Sequence, residues 1–372
     1  MLMSDIIFIR GKDMKKYRIG LIGVGGIMNG AHIPGYLSDD NCEITAIADI
    51  SESALERTGD RLNLPRERRF GSHTELLRSG LVDAVDIATS NDVHVPIALE
   101  ALSAGYPVSV EKPIGMNFNQ ALELEKRSAE TGLPVFVCFS WRYRLFPRYM
   151  KYLVDSGEIG RLYHIYIKCI KDSGLWKGRR LEWRFQKERA GSGVLCDLGS
   201  HMFDMIRFFG EEFESVFCDM GTIVKRRQMI DSDEWGDVTT DDWSNVICRL
   251  KSGIDATVTL TRCATNEKDT IEFYLIGEKG SLKFVYDNGP QKLYKCTGDD
   301  MKDNTFREVE VPSDFKAGSQ SSAYISLLSG VSDSYTALIG DGIKSQAAVD
   351  AAVMSFETGR RITIDELYRC GI

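Results

Sequence analysis

Asp197 and His201 stand four residues apart in the run DLGSH. On a helix that spacing puts a carboxylate and an imidazole one turn apart on the same face. The imidazole titrates near neutrality and can take a proton from an alcohol. The carboxylate either orients the imidazole or grips vicinal hydroxyls of a polyol, and the bland alternative is a capped helix with His201 satisfied in a core. A second group is Glu111-Lys112-Pro113. Pro113 stops a strand and restricts Lys112 to extended backbone. A lysine there can hydrogen-bond a substrate hydroxyl and, if desolvated, exchange protons; its bland alternative is a surface salt bridge. Arginines also alternate with flat rings in Trp141-Arg142-Tyr143-Arg144 and Trp183-Arg184-Phe185. Forks and ring faces suit a sugar, apolar on its faces and hydroxylated at its edges, and they equally suit a packed domain interface.

A glycine-rich run, GLIGVGGIMNGAHIP, covers residues 20–34. Gly23 and Gly25 match the first two glycines of the dinucleotide pattern G-x-G-x-x-G, and Met28 takes the third place. The first glycine permits a tight turn and the second lets backbone approach a diphosphate at a helix N-terminus. The third serves helix–strand packing, so Met28 bears on packing more than on the anion. Asp49 ends the next strand. Its carboxylate suits the hydroxyls of an adenosine ribose and repels a 2′-phosphate, favouring NAD, while nearby Ser51 and Arg57 keep NADP as the alternative. Asp49 also reads as a helix N-cap for SESALE.

These groups need a frame. YRIGLIGV, CEITAIAD, VDAVDIAT, YPVSVEKP and LPVFVCF are short apolar runs separated by helical stretches such as ESALERTGDRL, HVPIALEALSAG and NQALELEKRSAETG. The alternation predicts an α/β fold, a doubly wound parallel sheet of Rossmann type. After Trp141 the pattern changes to closely spaced strands, RLYHIYIKCI, SNVICRL, GIDATVTLTR, DTIEFYLIG and SLKFVYD. They predict an α+β unit with a mostly antiparallel sheet, carrying helices from GVLCDLGSHMFDMIRFFG and SQAAVDAAVMSFETGR. Residues 226–243 are acidic and turn-rich and read as a loop. The expected domains are an extension over 1–16, a nucleotide-binding unit over 17–139 and a substrate-binding and oligomerisation unit over 140–372.

A chain of 372 residues exceeds one ordinary core. A net charge of -8 argues against a broad nucleic-acid or anionic-membrane surface, and the basic runs KGRR (177–180) and KRR (225–227) read as solvated loops. No apolar run reaches membrane-spanning length. Nine cysteines without a C-x-x-C pair, and no secretory leader, predict reduced thiols in a cytoplasm. Five scattered histidines form no local zinc signature, so no metal is expected.

From about Tyr17 to Ile364 the chain resembles the Gfo/Idh/MocA family of nicotinamide-dependent oxidoreductases. The resemblance rests on GLIGVGG, SNDVHVPIALEALSAG, VEKPIG, VDSGEIGRL, EWRF, GSGVLCDLGSHMFD, IGEKGSL and AAVDAAVMSFETGR in that order. It implies NAD as cofactor, with contacts from Gly23, Gly25, Gly26, Ile27, Met28, Asp49, Ile50, Thr89, Asn91, His94, Glu111 and Lys112. It implies that Lys112 holds the reacting hydroxyl, His201 is the catalytic histidine and Asp197 binds substrate, with Trp183 nearby. The arginine that relatives place before a proline is Arg142 or Arg144 in WRYRLFP. The activity implied is hydride transfer between nicotinamide and a CH–OH of a sugar, glycoside or cyclitol, as in a glycoside 3-dehydrogenase or an inositol dehydrogenase. A redox-neutral NAD-dependent glycosidase using the same site is the alternative, and a nucleotide-binding protein with a decayed site is a third reading. The family also implies an open-faced C-terminal sheet used for homo-oligomerisation, and a helix near 343–360 lying alongside the first domain.

Overall fold

A parallel strand covered by helices on both faces must be apolar on both, and the short runs before Trp141 meet that demand. The computed structural model describes residues 16–176, 178–265 and 268–370; the first fifteen residues of the expected extension lie outside them. The first sheet contains β1 (Tyr17–Ile22), β2 (Cys42–Ala48), β3 (Arg69–Phe70), β4 (Ala84–Ile87), β5 (Val108–Val110) and β6 (Val135–Val137). All are parallel, in the order β3-β2-β1-β4-β5-β6. Two-residue β3 has no periodicity to read, and the sequence offered no sign of it. The order reverses between β1 and β4, and the carboxyl ends of those two strands open the crevice where such sheets bind ligands.

The second half contributes β7 (Leu162–Ile170), β8 (Phe213–Gly221), a hairpin of β9 (Arg226–Gln228) and β10 (Trp235–Asp237), then β11 (Trp243–Leu250), β12 (Asp255–Thr261), β13 (Thr270–Gly277), β14 (Gly280–Asp287), β15 (Gln291–Thr297), β16 (Arg307–Glu308) and β17 (Ile362–Thr363). Apart from the β9–β10 hairpin they form one sheet, β16-β15-β14-β13-β7-β12-β11-β8-β17. Only β7 and β12 run parallel; the other neighbours are antiparallel. The alternation is visible in β7, where Ile165 and Ile167 are buried while Tyr166 between them is exposed. Residues 226–243, expected to be a loop, hold the β9–β10 hairpin instead. Arg227 explains the difference. It is buried over the Phe185 ring and donates to the Gly174 carbonyl at 2.5 Å, so this part of KRR is not solvated.

Two late helices bind the halves together. The helix Ile339–Thr358 buries Gly342, Ala347, Ala348, Ala351 and Ala352, small residues that let it approach both sheets closely. Its Asp350 accepts from the Phe118 backbone N–H at 2.7 Å, and Ser345 donates to the Ser200 carbonyl at 2.8 Å. Burial pushes the Asp350 carboxyl up to about 6. The helix Gln320–Leu328, absent from the sequence reading, lies on the first sheet: Tyr324 donates to the Val85 carbonyl at 3.2 Å and Ser321 to the His32 carbonyl at 2.9 Å. Among the described residues no helix is long and apolar enough to cross a membrane.

Arg142 is one of the residues that hold this arrangement. Its guanidinium bonds both Asp204 oxygens, at 2.8 and 2.5 Å, and reaches Asp341 at 3.1 Å, with only 5% of its side chain exposed. Removing it leaves the Asp204 carboxylate buried without its partner. Arg142→Ala is therefore expected to cost about 3–5 kcal/mol of folding stability, measured by denaturant unfolding; a loss below 1 kcal/mol would show the ion cluster to be dispensable.

Candidate active site

The crevice begins at Gly23. Its φ is 84°, and a Cβ there would meet the Ala88 carbonyl oxygen at 2.7 Å, so only glycine makes this turn without strain. A Cβ on Gly25 or Gly26 would meet nothing within 4 Å, which leaves the outer surface of the loop open to a ligand. Met28 is fully buried in the core and opens a π-helical turn, Met28–His32, before the helix Ile33–Leu37. A turn wider than α accompanies the bulkier residue in the third glycine's place. Asp49 is not the helix N-cap: Ser51 is, accepting from Ala54 N–H. One Asp49 oxygen instead accepts from the Val24 N–H and the other from the Ser51 N–H, both at 2.8 Å. The carboxylate thus sits against the loop, with Ile50 almost wholly exposed beside it. An open-backed glycine loop and a carboxylate at the end of β2 fit the diphosphate and ribose of a dinucleotide.

Beside Ile27 of this loop lies a cavity of about 650 Å³ between the two halves. Ile27, Thr89, Asn91, His94, Glu111 and Lys112 line it from the nucleotide half, and Arg144, Trp183, Asp197 and His201 from the other. The structure therefore brings both sequence groups, EKP and DLGSH, to one space. None of the remaining expected cofactor contacts is in the cavity wall: Gly23, Gly25 and Gly26 form the adjoining loop, Met28 is buried in the core behind it, and Asp49 and Ile50 follow β2. Arg142, the alternative to Arg144 as a substrate contact, does not reach it: the 3-10 turn Ser140–Tyr143 sends Arg142 inward to Asp204. Arg144 faces the cavity, its guanidinium 3.8 Å from the centre of the Trp141 ring.

Lys112 is neither free nor a surface residue. Its ammonium donates to the Asp197 carbonyl at 2.8 Å and to its carboxylate at 3.1 Å. Asp197 sits in a second π-helical turn, Leu195–Gly199, which runs into the helix Ser200–Phe209. It pairs with Lys112, not His201. Burial would raise the Asp197 carboxyl, yet Lys112, followed by Arg184 and Arg262, outweighs it and holds the group well below the usual carboxylate range. His201 packs its ring against Phe139, and its Nδ1 is enclosed with no hydrogen-bond partner among the described residues, so Nε2 is the nitrogen that serves the cavity. Burial, and then the charge of Lys112, pushes its pKa well below the ordinary histidine value. The result is a neutral imidazole beside an ammonium. His94 spans from the Pro113 carbonyl (2.9 Å) to that of Thr89 (3.3 Å), and burial lowers its pKa. Asn91 donates to the Ala190 carbonyl at 3.0 Å, another tie between the halves.

Sequence reasoning missed His32. One of its ring nitrogens is 2.7 Å from Asp86 and the other 2.9 Å from Glu111, all three residues buried. Burial opposes its charge, but the two carboxylates push its pKa up to about 10. Glu111 in turn accepts from the Lys112 backbone N–H at 3.0 Å, so a buried ion chain supports the lysine. The available sign was Asp86, a carboxylate inside the apolar run VDAVDIAT. Also missed were Lys171, Arg179, Arg262 and Asp269, which line the cavity from separate elements; Arg179 belongs to KGRR, read as solvated.

The geometry agrees with what the chain is similar to. An NAD-binding Rossmann-fold oxidoreductase family model matches residues 17–139, and a GFO/IDH/MocA C-terminal domain model matches residues 148–283. Levoglucosan dehydrogenase of Pseudarthrobacter phenanthrenivorans is 28% identical over 314 residues, covering 80% of each chain. Glucose-6-phosphate 3-dehydrogenase of Bacillus subtilis is 27% identical over 286 residues, covering 76% of this chain and 77% of that one. A solved structure of levoglucosan dehydrogenase in complex with NADH superposes with a TM-score of 0.83 at 25% identity, over 94% of this chain and 99% of that one. With both of its sheet units matched, the chain belongs to the Gfo/Idh/MocA family and is an NAD-binding oxidoreductase.

Proposed function

We propose that this oxidoreductase is a dehydrogenase of sugars or cyclitols, oxidising a ring CH–OH reversibly to a ketone. The observation that carries the reading is the meeting of Lys112, Asp197 and His201, from opposite halves of the chain, in one cavity beside the glycine loop. NAD held on that loop supplies the hydride acceptor. The chain's own residues handle the oxygen and its proton. Lys112 donates a hydrogen bond to the substrate oxygen and stabilises the charge that grows there as the C–H bond breaks. Nε2 of neutral His201 takes the hydroxyl proton. Asp197, kept anionic by its cationic neighbours, anchors Lys112 and offers an acceptor to an adjacent hydroxyl. Trp183 and Trp176 supply flat apolar surfaces for the faces of a sugar ring. In this reading residues 17–139 bind the nucleotide, residues 140–372 bind the substrate, and residues 1–16 are an extension.

Two relatives are named as dehydrogenases of levoglucosan and, at position 3, of glucose 6-phosphate. Those names favour oxidation with net cofactor reduction over the redox-neutral glycosidase, and they make a ring hydroxyl such as the 3-hydroxyl the first to test. The open face of the second sheet, with Tyr166 and Ile247 exposed, supports a homo-oligomer through that face. The nine scattered cysteines support work in a reducing cytoplasm. Incubation with NAD and a panel of hexoses, inositols and aryl glucosides tests the whole reading, with reduced nicotinamide, released aglycone and the oxidised position all measured.

Three results are expected from that assay. Lys112→Ala and His201→Ala each lower kcat by roughly 10²–10⁴-fold, and turnover within threefold of the parent for either would remove that residue from the chemistry. Because the unprotonated imidazole is the active form and its pKa is lowered, activity persists as pH falls through the ordinary histidine range. The acid limb of kcat/KM therefore lies below about 6.5, and a limb at or above that value would contradict the assignment of His201 as base. Asp49→Ser removes the charge that repels a 2′-phosphate and shifts the NAD-to-NADP ratio of kcat/KM by at least about tenfold toward NADP, some 1.4 kcal/mol.

A further inference from the structure

The cavity carries the opposite charge from the rest of the chain. The protein's net charge is -8, yet among the described residues seven cationic and three anionic side chains line this space. Part of the excess is neutralised locally: Lys112 by Asp197 at 3.1 Å, Lys171 by Asp269 at 3.2 Å and Arg179 by Glu182 at 3.1 Å. Arg144 and Arg184 have no carboxylate partner within 4.0 Å among the described residues. Among the same residues Arg262 has only Asp242, 3.9 Å from its Nε. Its side chain is 4% exposed, and its Nη2 is buried with no hydrogen-bond partner among the described residues. A buried guanidinium donor without an acceptor is costly and rare in native structures. It is tolerable where a ligand brings the acceptor.

The geometry around these arginines is preformed. Arg184 lies over the Trp183 ring at 4.3 Å and Arg144 over Trp141 at 3.8 Å. Stacking holds the guanidinium plane and leaves its N–H edge for a planar or tetrahedral anion. Arg262 packs on Phe185, which adjoins Arg184, at 5.4 Å. Arg184 and Arg262 line the same cavity as Asp197, Lys112 and His201, so an anion held by them shares that space with the reacting groups. The diphosphate of the dinucleotide does not explain them: it belongs to the glycine loop, which the opposite half of the chain provides.

We propose, resting on the sugar dehydrogenase reading above, that the substrate is a sugar bearing an anionic group, phosphoryl or carboxylate, which Arg184 and Arg262 receive while the reacting hydroxyl lies at Lys112 and His201. The excess positive charge serves two ends. It steers an anionic sugar into a protein that is otherwise negative, and it gathers the donors for an anion that in turn brings the acceptor Arg262 lacks.

Matched pairs test this with the full chain and saturating NAD: glucose against glucose 6-phosphate and glucuronate, galactose against galacturonate, and myo-inositol against its 1-phosphate. At least one anionic member is expected to exceed its neutral counterpart by about 100-fold in kcat/KM. The advantage shrinks severalfold between low and high salt. Phosphate esters and uronates in separate arms tell which anion the site takes. Arg262→Gln, and independently the less buried Arg184→Gln, lowers the anionic-to-neutral ratio at least about tenfold. Calorimetric binding of the same sugars to the NADH-loaded protein should show the same preference without turnover. Neutral members equal to or better than the anionic ones would overturn this proposal and leave the dehydrogenase reading standing. No reduction of NAD by any member, with no binding of any of them, would overturn both.

Discussion

The contact between the Lys112 ammonium and Asp197 is the constraint on which the site depends, because it joins two halves that otherwise have separate sheets. Each partner is held from behind. The Lys112 backbone is fixed by Glu111, Glu111 by His32, and His32 by Asp86, which also accepts from the Tyr36 hydroxyl at 2.7 Å. On the other side the buried Asp241 accepts from the backbone N–H groups of Gly193 and Leu195, just ahead of the π-helical turn that presents Asp197. Buried ion chains of this kind seldom add net stability over apolar packing, but they are unforgiving of displacement. They suit a site in which an ammonium must be set to within a fraction of an ångström.

The electrostatics of the cavity follow from the same arrangement. An imidazole surrounded by Lys112, Arg144 and Lys171 stays neutral, and a carboxylate among Lys112, Arg184 and Arg262 stays ionised. The environment thus reinforces what the residue types begin, holding the base neutral and the carboxylate ionised. The acids of the outer surface dominate the chain's pI of about 5.4, which says nothing of the field inside.

Much of the frame was legible from the sequence. The apolar runs before Trp141 read as buried strands because they are short, apolar throughout and separated by helical stretches. Those after it read as antiparallel strands because they are rich in β-branched and aromatic residues and closely spaced. EKP and DLGSH were legible as chemistry. What was not legible arises from packing across the chain. Nothing local distinguishes Arg142 from Arg144 in WRYRLFP, since a 3-10 turn and the distant Asp204 decide which one turns inward. His32 looks like any histidine until Asp86 and Glu111, over fifty residues further on, are folded against it. The π-helical turns that carry Met28 and Asp197 leave no mark in a periodicity of 3.6. Arg227, in a basic run that reads as solvated, is buried because Phe185 and the Gly174 carbonyl provide a place for it.

The helix Gln320–Leu328 sets a limit on modularity. Gln320 approaches the His32 ring at 2.8 Å, Ser321 holds the His32 carbonyl, and Tyr324 is wholly buried against β4. A fragment ending after β6 would open that ion chain to water and lose a wall of its own core. The nucleotide unit is contiguous in sequence but not self-sufficient in space, since a helix that follows the second sheet completes its core. Exchange of the first unit alone would therefore have to carry Gln320, Ser321 and Tyr324 with it.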